Sequence, residues 1–192
     1  SYQNGKLNGQ WTSWYEGGII KEKSGSYINN KLDKKWTYWA DDGRKTEEVT
    51  YSNGIKNGLY ISWNNDNYKV TEGEFVKGEK HGNWTIWFDD GSIKGEESYS
   101  NGEMDGQWTW WTPNGTKDRE GNFKNGVKHG LWVSWNNNDH KKGEETYVNG
   151  VLDGLVTIWH DNGNKDREGI IRGNEPEGSW TYYFADGTED FR

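Results

Sequence analysis

Large aromatic residues recur along the chain at a nearly constant interval, and polar residues and glycines separate them. Each copy matches or varies the pattern Gly-x-Trp-x-x-Trp, and successive copies lie 24 residues apart after a first step of 25. Eight copies account for the 192 residues. A fixed period of this length is typical of a repeat protein.

Two columns of aligned positions carry 13 of the 14 tryptophans. The first-Trp column contains Trp11, Trp36, Tyr60, Trp84, Trp108, Trp132, Val156 and Trp180. The second-Trp column contains Trp14, Trp39, Trp63, Trp87, Trp111, Trp135 and Trp159, followed by Tyr183. A column that survives in so many copies has either a packing role or a binding role.

Every unit carries turn signals at two places. Pairs such as Asp42-Gly43 follow the second tryptophan, and pairs such as Asn53-Gly54 lie between units. Both dipeptides favour the positive φ angles of tight hairpins. The sequence therefore predicts an all-β fold of eight tandem 24-residue β-hairpins, forming one elongated, twisted antiparallel meander with an open sheet. We expect residues 1–192 to be a single repeat domain, and part of a longer array because the chain begins within a repeat.

The alternation of side chains along a strand assigns the columns to faces. A third column has Tyr27, Tyr51, Phe75, Tyr99, Phe123, Tyr147 and Ile171. If the hairpin loops have two or four residues, this column shares a face with the first-Trp column. The second-Trp column then shares the other face with threonines and with Glu48, Glu72, Glu96, Glu120, Glu144 and Glu168. Since both faces carry aromatic residues, the sequence does not say which face is buried.

The charge balance excludes some classes of partner. The chain has 23 Lys and Arg against 31 Asp and Glu, a net charge of −8. Nucleic acid binding and anionic membrane binding both rest on a basic surface. The chain has no cysteine and no apolar run of the ~20 residues that a membrane helix needs. We therefore expect no nucleic acid partner and no transmembrane segment, and the compartment stays open.

The motifs of the sequence do not indicate a catalytic function. Neighbouring glutamates of the column would stand ~10 Å apart, because each repeat adds two strands at ~4.8 Å. That spacing does not suit the carboxyl pairs of glycoside hydrolysis. A parallel column of Lys45, Lys69, Lys117, Lys141 and Lys165 predicts ion pairing instead. We expect no enzyme, no cofactor and no metal site.

The unit Asn101–Trp111, followed by Glu120-Gly121-Asn122-Phe123, resembles the MORN-repeat superfamily, and so does Asn125–Trp132. It is most similar to the variant repeats of bacterial YwqK-like proteins, which are described as antitoxin components. The resemblance covers all eight units. It implies consecutive β-hairpins that mediate protein–protein contact, scaffolding or self-association, with no catalytic residues. The expected partner is therefore a protein or a second copy of the chain.

The tandem Trp- and Gly-rich hairpins are also similar to the choline-binding repeats of bacterial surface proteins, whose aromatic residues enclose a quaternary ammonium. This likeness implies an extracellular module that binds a glycan or a quaternary ammonium ligand in a Trp-lined groove. A structural filament subunit is a further alternative, because open sheet edges can extend from copy to copy. In each case the second-Trp column and the glutamate column are the candidate binding residues.

Overall fold

The computed structural model describes residues 1–191, and this part of the chain consists of strands and turns without a helix. Contacts divide it into two compact units, one of residues 1–93 and 99–102, the other of residues 94–98 and 103–192. The strands of the first unit are β1 (Tyr2–Gln3), β2 (Lys6–Leu7), β3 (Gly9–Trp14), β4 (Lys21–Ile28), β5 (Lys31–Trp39), β6 (Lys45–Ser52), β7 (Ile55–Trp63), β8 (Lys69–Val76) and β9 (Glu79–Trp87). Strand β10 (Ile93–Ser100) divides between the units. The second unit continues with β11 (Glu103–Met104), β12 (Gly106–Trp111), β13 (Lys117–Lys124), β14 (Val127–Trp135), β15 (Lys141–Val148), β16 (Val151–Trp159), β17 (Lys165–Arg172), β18 (Glu175–Tyr183) and β19 (Glu189–Asp190).

Strands that follow each other in sequence pair antiparallel within each unit. The ladder runs from β3 to β9 in the first unit and from β12 to β19 in the second. No pairing among the described residues joins the first and last strands of a unit, so each sheet is open. The predicted all-β fold of consecutive hairpin repeats is confirmed.

The turns between repeats have the predicted two-residue form. Ser52 pairs with Ile55, and the two residues between them have positive φ angles of 53° at Asn53 and 86° at Gly54. A turn with two positive φ angles matches the right-handed twist of the flanking strands. Asparagine and glycine adopt these angles at low cost, which explains why the pair recurs at this position.

The turns within repeats differ from the expected two or four residues. The N–H of Ala40 donates to the carbonyl of Arg44 at 2.8 Å, which leaves three residues in the loop. An odd loop would move one strand's side chains to the other face. A bulge compensates, because Trp39 pairs with Lys45 while Tyr38 pairs with Glu47, leaving Thr46 unpaired. The predicted face assignment is therefore correct, although its reason was not the loop length.

The core lies on the face of the first-Trp column. Trp36, Trp84, Trp108 and Trp132 are at most 4% exposed. The third column packs against them, as Tyr27 does edge-on to Trp36 with the ring centroids 4.9 Å apart. Large rings bury much apolar area per residue, which is how a sheet with few aliphatic residues obtains a core.

The core also has a period of two repeats that the 24-residue period conceals. The indole rings of Trp36, Trp84, Trp132 and Trp180 lie against Gly25, Gly73, Gly121 and Gly169. In the alternate repeats the glycine position holds Val49, Glu97 and Glu145. A ring can lie flat on the backbone only where no Cβ intervenes. The position therefore alternates from repeat to repeat between a glycine, on which an indole ring lies flat, and a residue that has a side chain.

Candidate functional site

The opposite face carries the candidate binding residues that the sequence predicts. Thr37 pairs with Glu48 and Trp39 pairs with Lys45, so the four columns they represent share this face. The tryptophans of the second-Trp column are half-buried from Trp39 to Trp159, and Trp14 is 49% exposed. We call this face the second-Trp face.

Lysines cover the rings of the second-Trp column. The ammonium of Lys45 lies 5.1 Å from the ring centre of Trp63, in the next repeat. The same contact recurs for Lys21 on Trp39, Lys69 on Trp87, Lys117 on Trp135 and Lys141 on Trp159, at 5.2–5.6 Å. A cation over an aromatic ring is attracted by the ring quadrupole. The chain itself thus occupies the place that a cationic ligand would take on these rings.

The glutamate column neutralises the same lysines. The ammonium of Lys45 lies 2.7 Å from the carboxylate of Glu48, and Lys117 with Glu120 and Lys165 with Glu168 repeat this distance. Lys69 pairs with Glu72, and Lys141 with Glu144. Glu96 is the exception, because Ile93 stands where the other repeats have lysine. The candidate residues therefore form a ladder of rings and ion pairs that joins one repeat to the next.

Aliphatic side chains form an exposed patch on the second-Trp face of the second unit. The aliphatic patch consists of Val127, Leu131, Val148, Val151 and Leu155, which are 38–50% exposed. Val148 pairs with Val151, Leu155 pairs with the half-buried Ile170, and a Cβ on Gly150 would come within 3.3 Å of Val127. The sequence reasoning missed this patch, because it followed the aromatic columns. Its signal is an aliphatic residue just before the first-Trp position and beside the Asn-Gly turns.

Three segments of the chain match the model of one repeat family, the MORN repeat variant, at residues 7–29, 80–101 and 104–125. Their hairpin geometry and turn positions agree with that match. These three segments are MORN-variant repeats. No curated protein matches the chain. The narrower likeness to YwqK-like antitoxin proteins stays a prediction.

The described residues contain neither a metal-binding cluster nor a membrane-spanning helix. Residues 1–191 contain no group of three or more His, Asp or Glu side chains placed to hold a metal ion. No helix in that range is long and apolar enough to span a membrane. The matched repeats and the consecutive hairpins fit the general role of a repeat scaffold.

Acid should weaken the ladder of rings and ion pairs through Glu48. Burial raises the pKa of its carboxyl, but hydrogen bonds from Lys45 and Lys35 outweigh burial and hold the pKa below the ordinary 4.5. A carboxylate with a lowered pKa stabilises the fold above its unfolded-state pKa, and this contribution disappears as the pH falls through the folded-state pKa. We expect Glu48→Gln to lower the stability at pH 7 and to remove part of the stability loss below pH 4.5.

Urea unfolding at a series of pH values measures this effect. Glu96→Gln is the matched control, because Glu96 lies in the same column, is exposed and has no ion pair among the described residues. The control should unfold as the native chain does at every pH. Identical pH profiles for the native chain and Glu48→Gln would rule out the assigned role of Glu48.

Proposed function

We propose that the protein is a non-enzymatic repeat scaffold that binds a partner protein through the aliphatic patch of the second-Trp face. The proposal rests on one observation, the five aliphatic side chains on this face that remain 38–50% exposed. Exposed apolar surface on one face marks interaction sites in proteins that are otherwise polar. The surroundings are strongly polar, since 28% of the residues are charged.

The glutamate column borders the patch in this proposal, and the second-Trp column lies beyond it. A row of threonines and glutamates separates the tryptophans from the patch, as the pairs Val133–Glu144 and Glu144–Thr157 show. An interface with an apolar centre and a polar margin is the usual anatomy of protein recognition. The tryptophans then set the rigidity and curvature of the face, and the aliphatic side chains supply the contact area.

A quaternary ammonium group is the alternative ligand, but lysine side chains already cover the tryptophan rings that it would contact. Lysines stand over five of the seven candidate tryptophans, and most of these lysines are also paired with glutamates. A choline-like ligand would have to displace both interactions. The same lysines restrict the flat stacking that sugar rings require.

Site-specific photo-crosslinking tests the proposal. A benzophenone amino acid at position 131 is expected to capture one partner, whereas the same probe at position 107 captures none. Position 107 is a matched control because Gln107 is the exposed residue at the same place in the preceding repeat. A crosslink to a second copy of the chain would show self-association in place of a separate partner. Equal capture from both positions would contradict the proposal.

A further inference from the structure

Two places 72 residues apart, one in each unit, share a backbone arrangement and differ in charge. In the first unit Ser62 pairs with Glu47 on one side and Thr71 on the other. In the second unit Ser134 pairs with Arg119 and Gly143 in the same way. Both places lie on the first-Trp face, opposite the aliphatic patch.

The first unit neutralises its own cation at this place. The ammonium of Lys56 lies 3.9 Å from the carboxylate of Glu47 and 4.8 Å from the ring centre of Tyr60. The aromatic ring and the carboxylate together satisfy the lysine. No ligand is needed to balance the charge.

The second unit reverses that charge. Arg119 stands where the first unit has Glu47, so Lys128 loses its carboxylate and faces another cation. Lys128 keeps its aromatic neighbours, with its ammonium 4.4 Å from the ring centre of Trp132 and 4.5 Å from that of Tyr147. Lys142 adds a third cation where the first unit has Val70. Within residues 1–191, neither Lys128 nor Lys142 forms an ion pair with a carboxylate.

Two carboxylates are nearby, and both have partners. Asp118 accepts a hydrogen bond from Arg119 at 2.8 Å. Glu145 accepts one from the hydroxyl of Tyr147 at 2.7 Å, an interaction that contributes, after burial, to raising the pKa of that hydroxyl to about 12. Three cations and two anions leave one positive charge without a counterpart. An arginine that is 56% exposed still has donors to offer.

A cavity opens beside these cations. Its volume is ≈ 260 Å³, and its lining includes the three cations, the two paired carboxylates of Asp118 and Glu145, and Trp132, Trp135 and Gly143. Gly143 lines the cavity at the position where the first unit has Thr71. Cavities below ~300 Å³ suit one side chain or a small molecule rather than an extended ligand.

We propose that this cavity binds a carboxylate attached to a small apolar body. The carboxylate takes the place that Glu47 has in the first unit, where it can pair with Arg119 and Lys128. Its apolar part lies in the cavity beside Gly143 and Trp135, which line it. Such a carboxylate comes either from a small organic acid or from a polypeptide, and the site is independent of the aliphatic patch.

Titration of the ¹⁵N-labelled full chain with benzoate tests the site, with the indole N–H signals of Trp132 and Trp135 as the readout. Saturable shifts are expected with benzoate and not with benzamide, which has the same shape without the charge. Arg119→Glu copies the first unit and should weaken benzoate binding by about tenfold or more, because it removes a charge-assisted hydrogen bond and restores the internal pair. Gly143→Thr should fill the cavity and have a similar effect.

Both substitutions introduce residues that the first unit carries at the same places, so the fold should be kept, and the urea midpoint checks this. A second arm uses an acetylated tetrapeptide with a free C-terminal phenylalanine, and its amide as the control. If the peptide acid binds at least tenfold more tightly than benzoate, the ligand is a polypeptide carboxylate, and otherwise it is a small organic acid. The proposal is wrong if neither acid gives saturable shifts, if benzamide matches benzoate, or if Arg119→Glu binds benzoate unchanged.

Discussion

Trp36→Ala is expected to lower the free energy of unfolding by about 3–5 kcal/mol, the usual cost of deleting a buried tryptophan side chain. Trp36 is 0% exposed, packs on Tyr27, and donates its indole N–H to the carbonyl of Ser26 at 3.0 Å. Truncation leaves a cavity on the first-Trp face and an unpaired buried carbonyl. For a chain of this length the melting temperature should fall by about 6–20 °C.

Trp14→Ala is the control for that experiment, because the side chain belongs to the second-Trp column and is 49% exposed. This substitution should lower the free energy of unfolding by about 1 kcal/mol or less, as most substitutions of exposed residues do. Thermal and urea unfolding of the two variants give the comparison. Equal losses would mean that the first-Trp face is not the core.

Gly25→Ala should be destabilising by about 3 kcal/mol, although alanine is small and the backbone there is extended. A Cβ at this position would lie closer than 3.0 Å to three atoms of the Trp36 ring. That ring is buried and cannot move away without losing its own contacts. Gly143→Ala is the matched control, since the nearest atom to a Cβ there is the hydroxyl of Ser134 at 3.2 Å.

A double-mutant cycle isolates the cause. If Gly25→Ala is harmful because of the ring, its cost should largely vanish in the Trp36→Ala background, where the space is free. Circular dichroism in urea provides the four free energies. Additive costs would show that Gly25 acts through the backbone alone. They would contradict the claim that the Trp36 ring requires a glycine at this position.

The repeat and its turns could be predicted from the sequence because each rests on local chemistry. The pair Asn53-Gly54 specifies a two-residue turn by its φ preferences, wherever the strands lie. The bulge at Thr46 could not be predicted, because the same position holds Val70, Asp118 or Lys142 in other repeats. Nothing in the side chain marks it, and only the register of the strands shows it.

The choice of the buried face also lay beyond the sequence, since both faces carry tryptophan in most repeats. One available signal was the alternation of glycine with larger residues at one position, namely Gly25, Val49, Gly73 and Glu97. The two glycines are those on which the rings of Trp36 and Trp84 lie flat. The lysine and glutamate columns were predicted to pair across neighbouring strands, but the structure pairs them within one strand, as Lys45 and Glu48 of β6 show. The contact between the Lys45 ammonium and the Trp63 ring depends on how far neighbouring repeats are offset along the strands. The composition does not reveal this offset.

The most direct test of the proposed function is an affinity measurement with the partner that the crosslinking experiment identifies. The purified partner is titrated with the native chain and with a double variant that carries Leu131→Gln and Leu155→Gln. The comparison variant is Gln107→Ala, at the same position in the preceding repeat, and unfolding midpoints confirm that all three chains fold. The aliphatic patch should supply about 1–2 kcal/mol per buried leucine, so the double variant is expected to bind about 30-fold or more weakly. An unchanged affinity in the double variant would place the partner elsewhere and contradict the proposed role of the patch.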